Sequence, residues 1–306
     1  MINGIEIIDA HMHMFTARTL ERKTKAIGLK GESYKKALTV WMDWFTEKYD
    51  SDLTDGNTDP PEKIAGDWAA ELDRCGVDRA LFIALDPDEE ELTSFAAAQP
   101  ERFFAFTTVD PFAPDAPAVL KKRIEDQGYR GLKLYPTTGG YNPSDKKFYP
   151  LFETVRELRI PVMLHYGITL SYDADLNWAN PVHLHPVLKD FPEVSFIVPH
   201  FGAGYFQEVL FLAYHVQNIF LDTSGTNRWI EYLPYTIELK DVFRKALSVF
   251  GAERIIFGTD SRVLTRGYRE AVLKEQLAIL KALDTAEEEL SLIMGGNIRR
   301  LIREDL

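Results

Sequence analysis

The feature that most constrains the fold is an alternation of short apolar runs with longer amphipathic segments along most of the chain. Eight runs have the character of strands, and they are Ile5–His11, Arg79–Leu85, Phe103–Thr108, Arg130–Tyr135, Pro161–Tyr166, Val194–His200, Asn218–Asp222 and Arg254–Asp260. Most intervals between them have apolar residues at helical spacing, namely Ile64–Gly76, Asp115–Gly128, Lys147–Arg159, Pro181–Phe191, Tyr205–Val216, Ile237–Phe250 and Tyr268–Leu283. Strands alternating with helices predict a mostly parallel sheet covered by helices. Eight such units predict an α/β fold of the (β/α)8 TIM-barrel type.

A doubly wound open sheet is the alternative architecture for this pattern. Such a sheet normally has a glycine-rich phosphate-binding turn after its first strand. Here the corresponding segment, residues 11–15, reads His-Met-His-Met-Phe. The barrel is therefore the preferred prediction. Because barrels of this length often form one domain, we expect residues 1–306 to be a single domain.

The alternation breaks once, between the first strand and the first long helix. Residues from about 14 to 61 are too many for a plain loop, and they contain a helical stretch, Tyr34–Tyr49, that is rich in aromatic side chains. We expect this segment to be an insertion over the mouth of the barrel. It would act as a lid, a substrate wall or an oligomer contact, or it would pack on the barrel for stability alone. The sequence leaves these alternatives open.

The charge balance excludes one broad class of function. The chain has 35 Lys and Arg against 47 Asp and Glu, a net charge of −12, whereas nucleic-acid binding depends on clustered basic residues. Cys75, the lone cysteine, allows no intrachain disulfide, which favours a reducing compartment and an inert core position. The N-terminal sequence does not resemble a signal peptide, and no apolar run is long enough to span a membrane. We therefore expect a cytoplasmic protein with a small-molecule substrate, no nucleic-acid or membrane partner, and a homodimer as the default oligomer.

Polar residues occur at the C-terminal ends of several apolar strands. His11 and His13 end the first strand and are two residues apart, so both side chains would lie on one face of it. His165, His200 and Asp260 end the fifth, sixth and eighth predicted strands, although His165 precedes the last residue of its run. In a barrel these strand ends converge on one face, where active sites are built.

Such a convergence of histidines and a carboxylate is costly to bury without a purpose. Each residue alone has an ordinary structural interpretation, as a hydrogen-bonded or half-buried side chain. Together they indicate a divalent metal, because neutral imidazoles and carboxylates are standard ligands of Zn²⁺. Three histidines and one aspartate would leave a net charge near +1 and lower the pKa of a bound water.

The sequence resembles the amidohydrolase superfamily over nearly its whole length. More narrowly, it is similar to the amidohydrolase-related branch that includes aminocarboxymuconate-semialdehyde decarboxylase. The matching segments are Ile-Asp-Ala-His-Met-His (8–13), Gly-Leu-Lys-Leu-Tyr-Pro (131–136), Val-Met-Leu-His (162–165), Ile-Val-Pro-His-Phe-Gly (197–202), Leu-Asp-Thr-Ser-Gly (221–225), Ile-Ile-Phe-Gly-Thr-Asp (255–260) and Gly-Gly-Asn-Ile-Arg-Arg-Leu (295–301). This combination is specific to the family and not to a substrate.

The resemblance implies a role for each strand-end residue. Its metal ligands would be His11, His13, His165 and Asp260, holding one divalent ion, Zn²⁺ first, with Mn²⁺ or Mg²⁺ as alternatives. His200 would polarise the substrate or position a water, and Asp260 would also act as general base. In two-metal members a carboxylated lysine on the fourth strand bridges the ions, and Lys133 lies on that strand. Because this branch is mostly single-metal, we expect Lys133 to hold a carboxylate or a substrate anion instead.

Other residues are weaker candidates for the site. Substrate contacts are predicted for Lys133, Tyr135, Arg262, Arg228 and Trp178, of which the arginines could bind a carboxylate in bidentate fashion or lie on the surface. Asp222 would orient a ligand histidine, or more simply cap the loop that follows it. His183 and His185 mimic the spacing of a ligand pair, but the prolines around them favour a structural role.

Hydrolysis and non-oxidative decarboxylation would use the same ligands, so the motifs do not separate them. We favour a metal-dependent hydrolase acting on an amide, ester or lactone carbonyl of a small carboxylated substrate. A decarboxylase would need an arginine on the substrate carboxylate, for which Arg262, Arg18 or Arg22 could serve. A metal-free lactonase is a second alternative. A barrel without catalytic activity would be expected to have lost a ligand, and none is missing.

Overall fold

The computed structural model describes residues 2, 4–49, 57–87 and 90–303. Eight strands form one sheet in sequential order, and each neighbouring pair is parallel. They are β1 (Ile8–Met12), β2 (Arg79–Ile83), β3 (Phe103–Thr108), β4 (Gly131–Leu134), β5 (Val162–Leu164), β6 (Phe196–Val198), β7 (Ile219–Asp222) and β8 (Ile255–Ile256). All eight lie within the predicted runs except for the last residue of β1, and most are shorter, because the apolar sequence continues beyond the hydrogen-bonded ladder.

The sheet closes into a barrel through backbone hydrogen bonds between β1 and the segment that follows β8. Ala10 N donates to the carbonyl of Phe257 at 3.0 Å, and Asp260 N donates to the carbonyl of His11 at 2.8 Å. A parallel bridge also joins Met12 to Ser261. The predicted (β/α)8 barrel is therefore confirmed, with an irregular seam at β1 and β8.

Helices cover the outside of the sheet. In chain order they are α1 (Ala17–Gly28), α2 (Glu32–Tyr49), α3 (Pro61–Cys75), α4 (Glu91–Ala97), α5 (Ala116–Gln127), α6 (Pro136–Gly139), α7 (Tyr149–Leu158), α8 (His185–Asp190), α9 (Phe206–His215), α10 (Leu239–Phe250), α11 (Glu270–Ala282), α12 (Glu287–Ser291) and α13 (Asn297–Leu301). Six predicted helices match α3, α5, α7, α9, α10 and α11. The helical segment predicted over Pro181–Phe191 begins as a 3-10 turn, Pro181–Leu184, which continues directly into α8. Pro186, in the first turn of α8, has no N–H to donate and so favours a helix start there.

The segment after β1 contains two helices, of which only α2 was predicted. Thr16 caps α1 through a reciprocal hydrogen-bond pair with Thr19. Residues 50–56 of the expected insertion lie outside the described residues. The start of α2 contacts the loop after β5, where the Tyr34 hydroxyl donates to Asp173 at 2.8 Å. Its end contacts the loop after β7, where Lys48 donates to the Tyr232 hydroxyl at 2.9 Å.

Two apolar regions fill the barrel and the layer around it. Side chains between sheet and helices form the larger one, which includes the fully buried Trp68, Phe82 and Phe95. A smaller cluster, with Ile83 and Phe106 among its members, fills the barrel interior. The barrel interior is therefore a packed core, and a functional site is expected at the C-terminal ends of its strands. Within the described residues, no helix has the length and hydropathy needed to cross a membrane.

Candidate metal centre

Three side chains at the C-terminal end of the barrel bring their donor atoms together. His11 and His13 extend from the end of β1, and Asp260 lies beyond β8 across the seam. One donor atom from each of the three lies within 4.8 Å of the others. Both histidines are buried, at 1% and 6% exposure. Two imidazoles and a carboxylate at this spacing could hold a divalent metal ion.

The hydrogen-bond partners of His11 and His13 fix which ring nitrogen is free. His13 Nδ1 lies 2.8 Å from the carbonyl oxygen of Ile83, which can only accept, so Nδ1 carries the proton. His11 Nδ1 lies 2.5 Å from Asp222 Oδ2, and a carboxylate again selects the Nδ1–H tautomer. In both rings Nε2 therefore has a lone pair, which is the form that binds a metal. His13 Nε2 lies 3.4 Å from Asp260 Oδ1, so these two donor atoms face the same point.

His165 lies in the same cluster of rings but not in that group of three donors. Its ring centroid is 5.0 Å from that of His200, which is in turn 4.9 Å from that of His11. The Nε2 atom of His165 is buried and has no hydrogen-bond partner among the described residues. A buried polar atom without a partner is costly and calls for a ligand. The orphaned nitrogen fits the predicted role of His165 in binding a metal.

His200 is held by the loop after β7. Its Nδ1 lies 3.0 Å from the Ser224 carbonyl oxygen and 2.9 Å from the Ser224 hydroxyl. The carbonyl requires a proton on Nδ1, so the neutral ring has its lone pair at Nε2. His200 also has a left-handed backbone with φ of 57°. Such a conformation is uncommon for residues other than glycine and is often retained at functional sites.

Asp222 forms the contacts that both of its predicted roles require. Its Oδ2 holds His11, and its Oδ1 accepts a hydrogen bond from Ser224 N at 2.7 Å, which caps the following loop. Burial raises the pKa of Asp222 to about 6, although interactions with His200 and Ser224 oppose that shift. The carboxyl group is therefore mostly ionised at neutral pH and can accept both bonds.

Asp260 has a second partner that local sequence patterns do not indicate. Arg269, in the turn before α11, donates from Nη1 to Asp260 Oδ2 at 3.2 Å. Burial alone would raise the pKa of Asp260, but His13, Arg269 and Arg262 outweigh it and hold that pKa well below its usual value. Its side chain is 19% exposed. Asp260 therefore remains a carboxylate across the neutral range.

The four histidines are held neutral. Burial is the largest cause in each case, and it lowers the pKa of His11, His13, His165 and His200 below its ordinary value. Neutral imidazoles are the protonation state required of metal ligands and of a proton acceptor. The cluster is thus prepared for both tasks at neutral pH.

Lys133 is the most unusual side chain in the barrel. It is completely buried, and its Nζ has no hydrogen-bond partner among the described residues. That nitrogen lies 5.1 Å from the centre of the Tyr135 ring. Burial lowers the pKa of Lys133 to about 7, while Asp222 and Asp260 oppose this change. The Tyr135 hydroxyl is itself bound to the carbonyl of Ala84 at 2.7 Å, so it is held by the protein.

The arginines of the barrel mouth fall into two groups. Arg22 donates to Asp86 and Glu91 at 3.0 and 3.1 Å, and Arg18 lies 3.5 Å from Glu91. Arg22 is therefore engaged by two carboxylates of the protein, and the 72% exposed Arg18 is also paired. Arg228 is 50% exposed, with its guanidinium 4.0 Å from Glu231.

Arg262 differs from these arginines. It is partly buried beside Asp260, and no group among the described residues forms a hydrogen bond or ion pair with its guanidinium. Its charged neighbours Arg269 and Arg266 have the same sign. An arginine in these surroundings is available to bind an anion. Trp178 is half-buried in the loop after β5, and its backbone carbonyl accepts from the Thr137 hydroxyl at 3.4 Å.

The second His-x-His pair lies apart from this cluster. His183 Nε2 is 3.0 Å from the carbonyl oxygen of Asn177, and the ring of His185 is 5.2 Å from that of His215. Neither belongs to the group of three donors that could hold a metal. Cys75 ends α3, where it is buried, and burial raises the pKa of its thiol.

Comparison with known proteins agrees with this geometry. A model of the amidohydrolase family matches residues 8–303, which is nearly the whole chain. The chain belongs to the amidohydrolase family. Among curated relatives it is 25% identical over 235 residues to 2-keto-4-carboxy-3-hexenedioate hydratase of a Sphingobium species. That match covers 65% of this amidohydrolase and 65% of the relative, which is just under two thirds of the relative's length.

Solved structures of two named enzymes share the fold. One is 5-carboxyvanillate decarboxylase of Novosphingobium aromaticivorans, bound to manganese and 4-hydroxy-3-methoxy-5-nitrobenzoic acid; it has a TM-score of 0.67 and 15% identity, with 98% of this chain and 96% of that chain covered. The other is a probable 2-pyrone-4,6-dicarboxylic acid hydrolase of Acinetobacter baumannii with citric acid bound. It has a TM-score of 0.64 and 16% identity, and the match covers 98% of this chain and 100% of that chain. Both likenesses show the fold, and of these two proteins one is a decarboxylase and the other a probable hydrolase.

Proposed function

We propose that this amidohydrolase is a metal-dependent hydrolase acting on a small, carboxylated amide, ester or lactone. The observation that carries the proposal is the convergence of His11, His13 and Asp260, with their donor atoms within 4.8 Å of one another. Hydrogen bonds to Asp222 and Ile83 leave Nε2 of both histidines with a lone pair. The structural neighbours include a manganese-bound decarboxylase and a probable hydrolase, of which the first supports a metal and the second supports hydrolysis.

The residues present suit a single divalent ion. It would be held by His11, His13, His165 and Asp260, with Zn²⁺ as the first candidate and Mn²⁺ or Mg²⁺ as the others. The buried Nε2 of His165, which has no partner among the described residues, supports its inclusion. When bound, the metal would lower the pKa of a water and polarise the substrate carbonyl.

His200 rather than Asp260 is the proton acceptor in this proposal. Arg269 and His13 stabilise the ionised form of Asp260, which makes that carboxylate a weak base. His200 is neutral and presents its Nε2 lone pair, because Nδ1 donates to the Ser224 carbonyl. It would take the proton from the attacking water and then return it to the leaving group.

Arg262 would orient the substrate. Its guanidinium is partly buried, lies beside the proposed metal ligand Asp260 and forms no hydrogen bond or ion pair with the described residues. A carboxylate on the substrate could take both of its parallel N–H donors. That contact would hold the scissile carbonyl within reach of His200.

Decarboxylation is the second candidate, and the same arginine favours it. A decarboxylase must hold the carboxylate that it removes, and Arg262, which forms no hydrogen bond or ion pair with the described residues, could do so. The fold shared with a manganese-bound decarboxylase makes this reaction worth testing beside hydrolysis.

The two reactions give different products, so one experiment separates them. The metal-loaded enzyme is incubated with a panel of carboxylated lactones, esters and amides and with aromatic carboxylic acids. Hydrolysis of an ester or a lactone releases acid that a pH-stat records, and hydrolysis of an amide releases an amine that chromatography detects, whereas decarboxylation releases carbon dioxide that mass spectrometry detects. Acid release that is lost in His200→Asn supports the proposal, and carbon dioxide release alone would replace it with the second candidate. Full lactone hydrolysis after metal removal would instead indicate a metal-free lactonase.

A further inference from the structure

Asp9 is a fully buried carboxylate to which the proposed reaction gives no role. It lies in β1, two residues before His11, and is 0% exposed. Its Oδ1 accepts from the backbone nitrogens of His11 and Thr259, at 3.0 and 3.1 Å. Its Oδ2 accepts from the Thr259 hydroxyl at 2.5 Å. A buried carboxylate costs free energy to desolvate, even with these donors, so its position calls for a reason.

These contacts cross the seam of the barrel between the two segments that hold the metal ligands. β8 has only two residues, and the chain beyond it is tied to β1 by a few backbone bonds. Thr259 directly precedes Asp260, and its N–H is bound by the Asp9 side chain rather than by a backbone carbonyl. The Asp9 carboxylate thus connects the backbone of one ligand, His11, to the backbone next to another.

Asp260 needs such support because its own backbone is strained. Its φ is 57°, in the left-handed region that residues other than glycine seldom adopt. Strained residues persist only where their surroundings hold them. Thr259, the residue before Asp260, is fixed by two hydrogen bonds to the Asp9 side chain.

A continuous chain of hydrogen bonds leads from Asp9 to the Asp260 side chain. The Thr259 hydroxyl lies 2.7 Å from the hydroxyl of Ser261, which accepts from Arg269 N at 3.0 Å. The guanidinium of Arg269 then donates to Asp260 Oδ2 at 3.2 Å. The residue before Asp260 is therefore held by Asp9 directly, and the Asp260 carboxylate is connected to Asp9 through Ser261 and the Arg269 side chain.

We propose that Asp9 is a positioning residue that sets the distance and orientation between His11 and Asp260 for metal binding. The inference rests on the ligand set of the proposed function. Metal–ligand distances tolerate deviations of only about 0.2 Å. Loss of the Asp9 contacts should therefore weaken metal binding although no ligand is altered.

The test measures zinc affinity by competition with a chromophoric chelator. Asp9→Ala and Thr259→Val should each raise the zinc dissociation constant about tenfold or more, as changes behind the ligands of metal sites commonly do. Asp9→Asn should stay closer to the parent, because its amide oxygen can still accept both backbone N–H groups. The matched control is Asp78→Ala, since Asp78 also accepts a backbone N–H from the first-strand segment, at Ile7, with a distance of 2.9 Å. It lies beyond the opposite end of β1 and should leave the zinc dissociation constant unchanged.

A second measurement separates positioning from a general role in stability. The increase in Tm on adding zinc should be smaller in Asp9→Ala than in the parent, because ligand-induced stabilisation follows affinity. The inference would be overturned if Asp9→Ala lowered Tm equally with and without zinc and left the zinc dissociation constant unchanged. The proposed metal site would then stand without a role for Asp9. If Asp9→Ala does not fold, Thr259→Val decides the question by the same criteria. A parent protein that binds no zinc, manganese or magnesium would overturn the ligand set and this inference with it.

Discussion

Replacing Asp222 with asparagine removes one hydrogen-bond acceptor from behind a proposed metal ligand. In the native protein Asp222 Oδ2 lies 2.5 Å from His11 Nδ1, and Oδ1 accepts from Ser224 N at 2.7 Å. Asparagine has one oxygen for these two donors. Because an asparagine caps such a loop as well as an aspartate does, we expect its single amide oxygen to accept the hydrogen bond from Ser224 N. The amide NH₂ then faces the N–H of His11, which drives the proton of the imidazole to Nε2.

The size of the effect follows from the bond that is lost. A hydrogen bond to a charged group contributes about 1.5–3 kcal/mol. Changes to the outer partners of metal-bound histidines cost about 10–100-fold in affinity, which corresponds to about 1.4–2.7 kcal/mol. The two ranges agree, so Asp222→Asn should raise the zinc dissociation constant by about one to two orders of magnitude. The far-UV circular dichroism should not change.

Zinc competition with a chromophoric chelator at pH 7 measures the effect. The matched control is Asp175→Asn, because Asp175 Oδ1 accepts from the nitrogen two residues later, in Asn177, at 3.0 Å, as Asp222 does from Ser224. No hydrogen bond to a histidine is recorded for Asp175 among the described residues. Its variant should bind zinc as the parent does. Parental zinc affinity in Asp222→Asn would refute the assignment of His11 as a ligand oriented by Asp222.

Three further outcomes are expected. Arg262→Met should raise KM for a carboxylated substrate by about 10- to 100-fold, since a charge-assisted hydrogen bond is lost. Arg228→Met, at an exposed arginine, is the control. If steady-state kinetics show equal effects of the two substitutions, the role of Arg262 is contradicted. Arg269→Met should destabilise the metal-free protein at pH 7, because Arg269 stabilises the ionised Asp260 carboxylate. The pKa of Asp260 is depressed in the folded state, so the stabilisation from this ion pair is present above the ordinary pKa of 3.8 and is lost as pH falls further. Urea unfolding of parent and variant should show a constant gap from pH 7 to the ordinary pKa of 3.8 and a gap that narrows below it, and equal stability of the two proteins at pH 7 would argue against this ion pair. Lys133→Met should lower kcat or raise KM without lowering stability, because it removes a buried amine that has no hydrogen-bond partner among the described residues. Thermal unfolding and steady-state activity of the variant are measured together. A less stable variant with normal activity would show that Lys133 has a structural role instead.

The barrel could be predicted because each of its strands is marked locally. The predicted runs covered all eight strands apart from Met12, the last residue of β1, since buried parallel strands are nearly continuous apolar segments. Their lengths were overestimated, because residues such as Phe257 remain buried after the ladder has ended. α1 could not be found in this way. It is strongly charged and is attached to the rest of the protein through ion pairs such as Arg22 with Asp86, which are distant in sequence.

The site was predictable to the extent that its residues end strands. His11 lies in β1, His13 follows it and Asp260 lies beyond β8, and their donor atoms come together as the sequence pattern indicated. The groups that set their chemistry were not predictable, because they come from other parts of the fold. Arg269 lies in the turn before α11, and the carbonyl of Ile83 comes from β2. The hydrogen bond from Asp222 to His11 joins residues 211 positions apart.

The most direct test of the central claim is the metal content of the purified protein, measured by elemental mass spectrometry. The account predicts about one divalent ion per chain, and a His11→Ala, His13→Ala double variant that retains none while its far-UV circular dichroism is unchanged. The chain provides a matched control in its other His-x-His pair, so a His183→Ala, His185→Ala double variant should keep the ion. A metal-free parent with undiminished activity, or full metal retention in the His11→Ala, His13→Ala variant, would contradict the account.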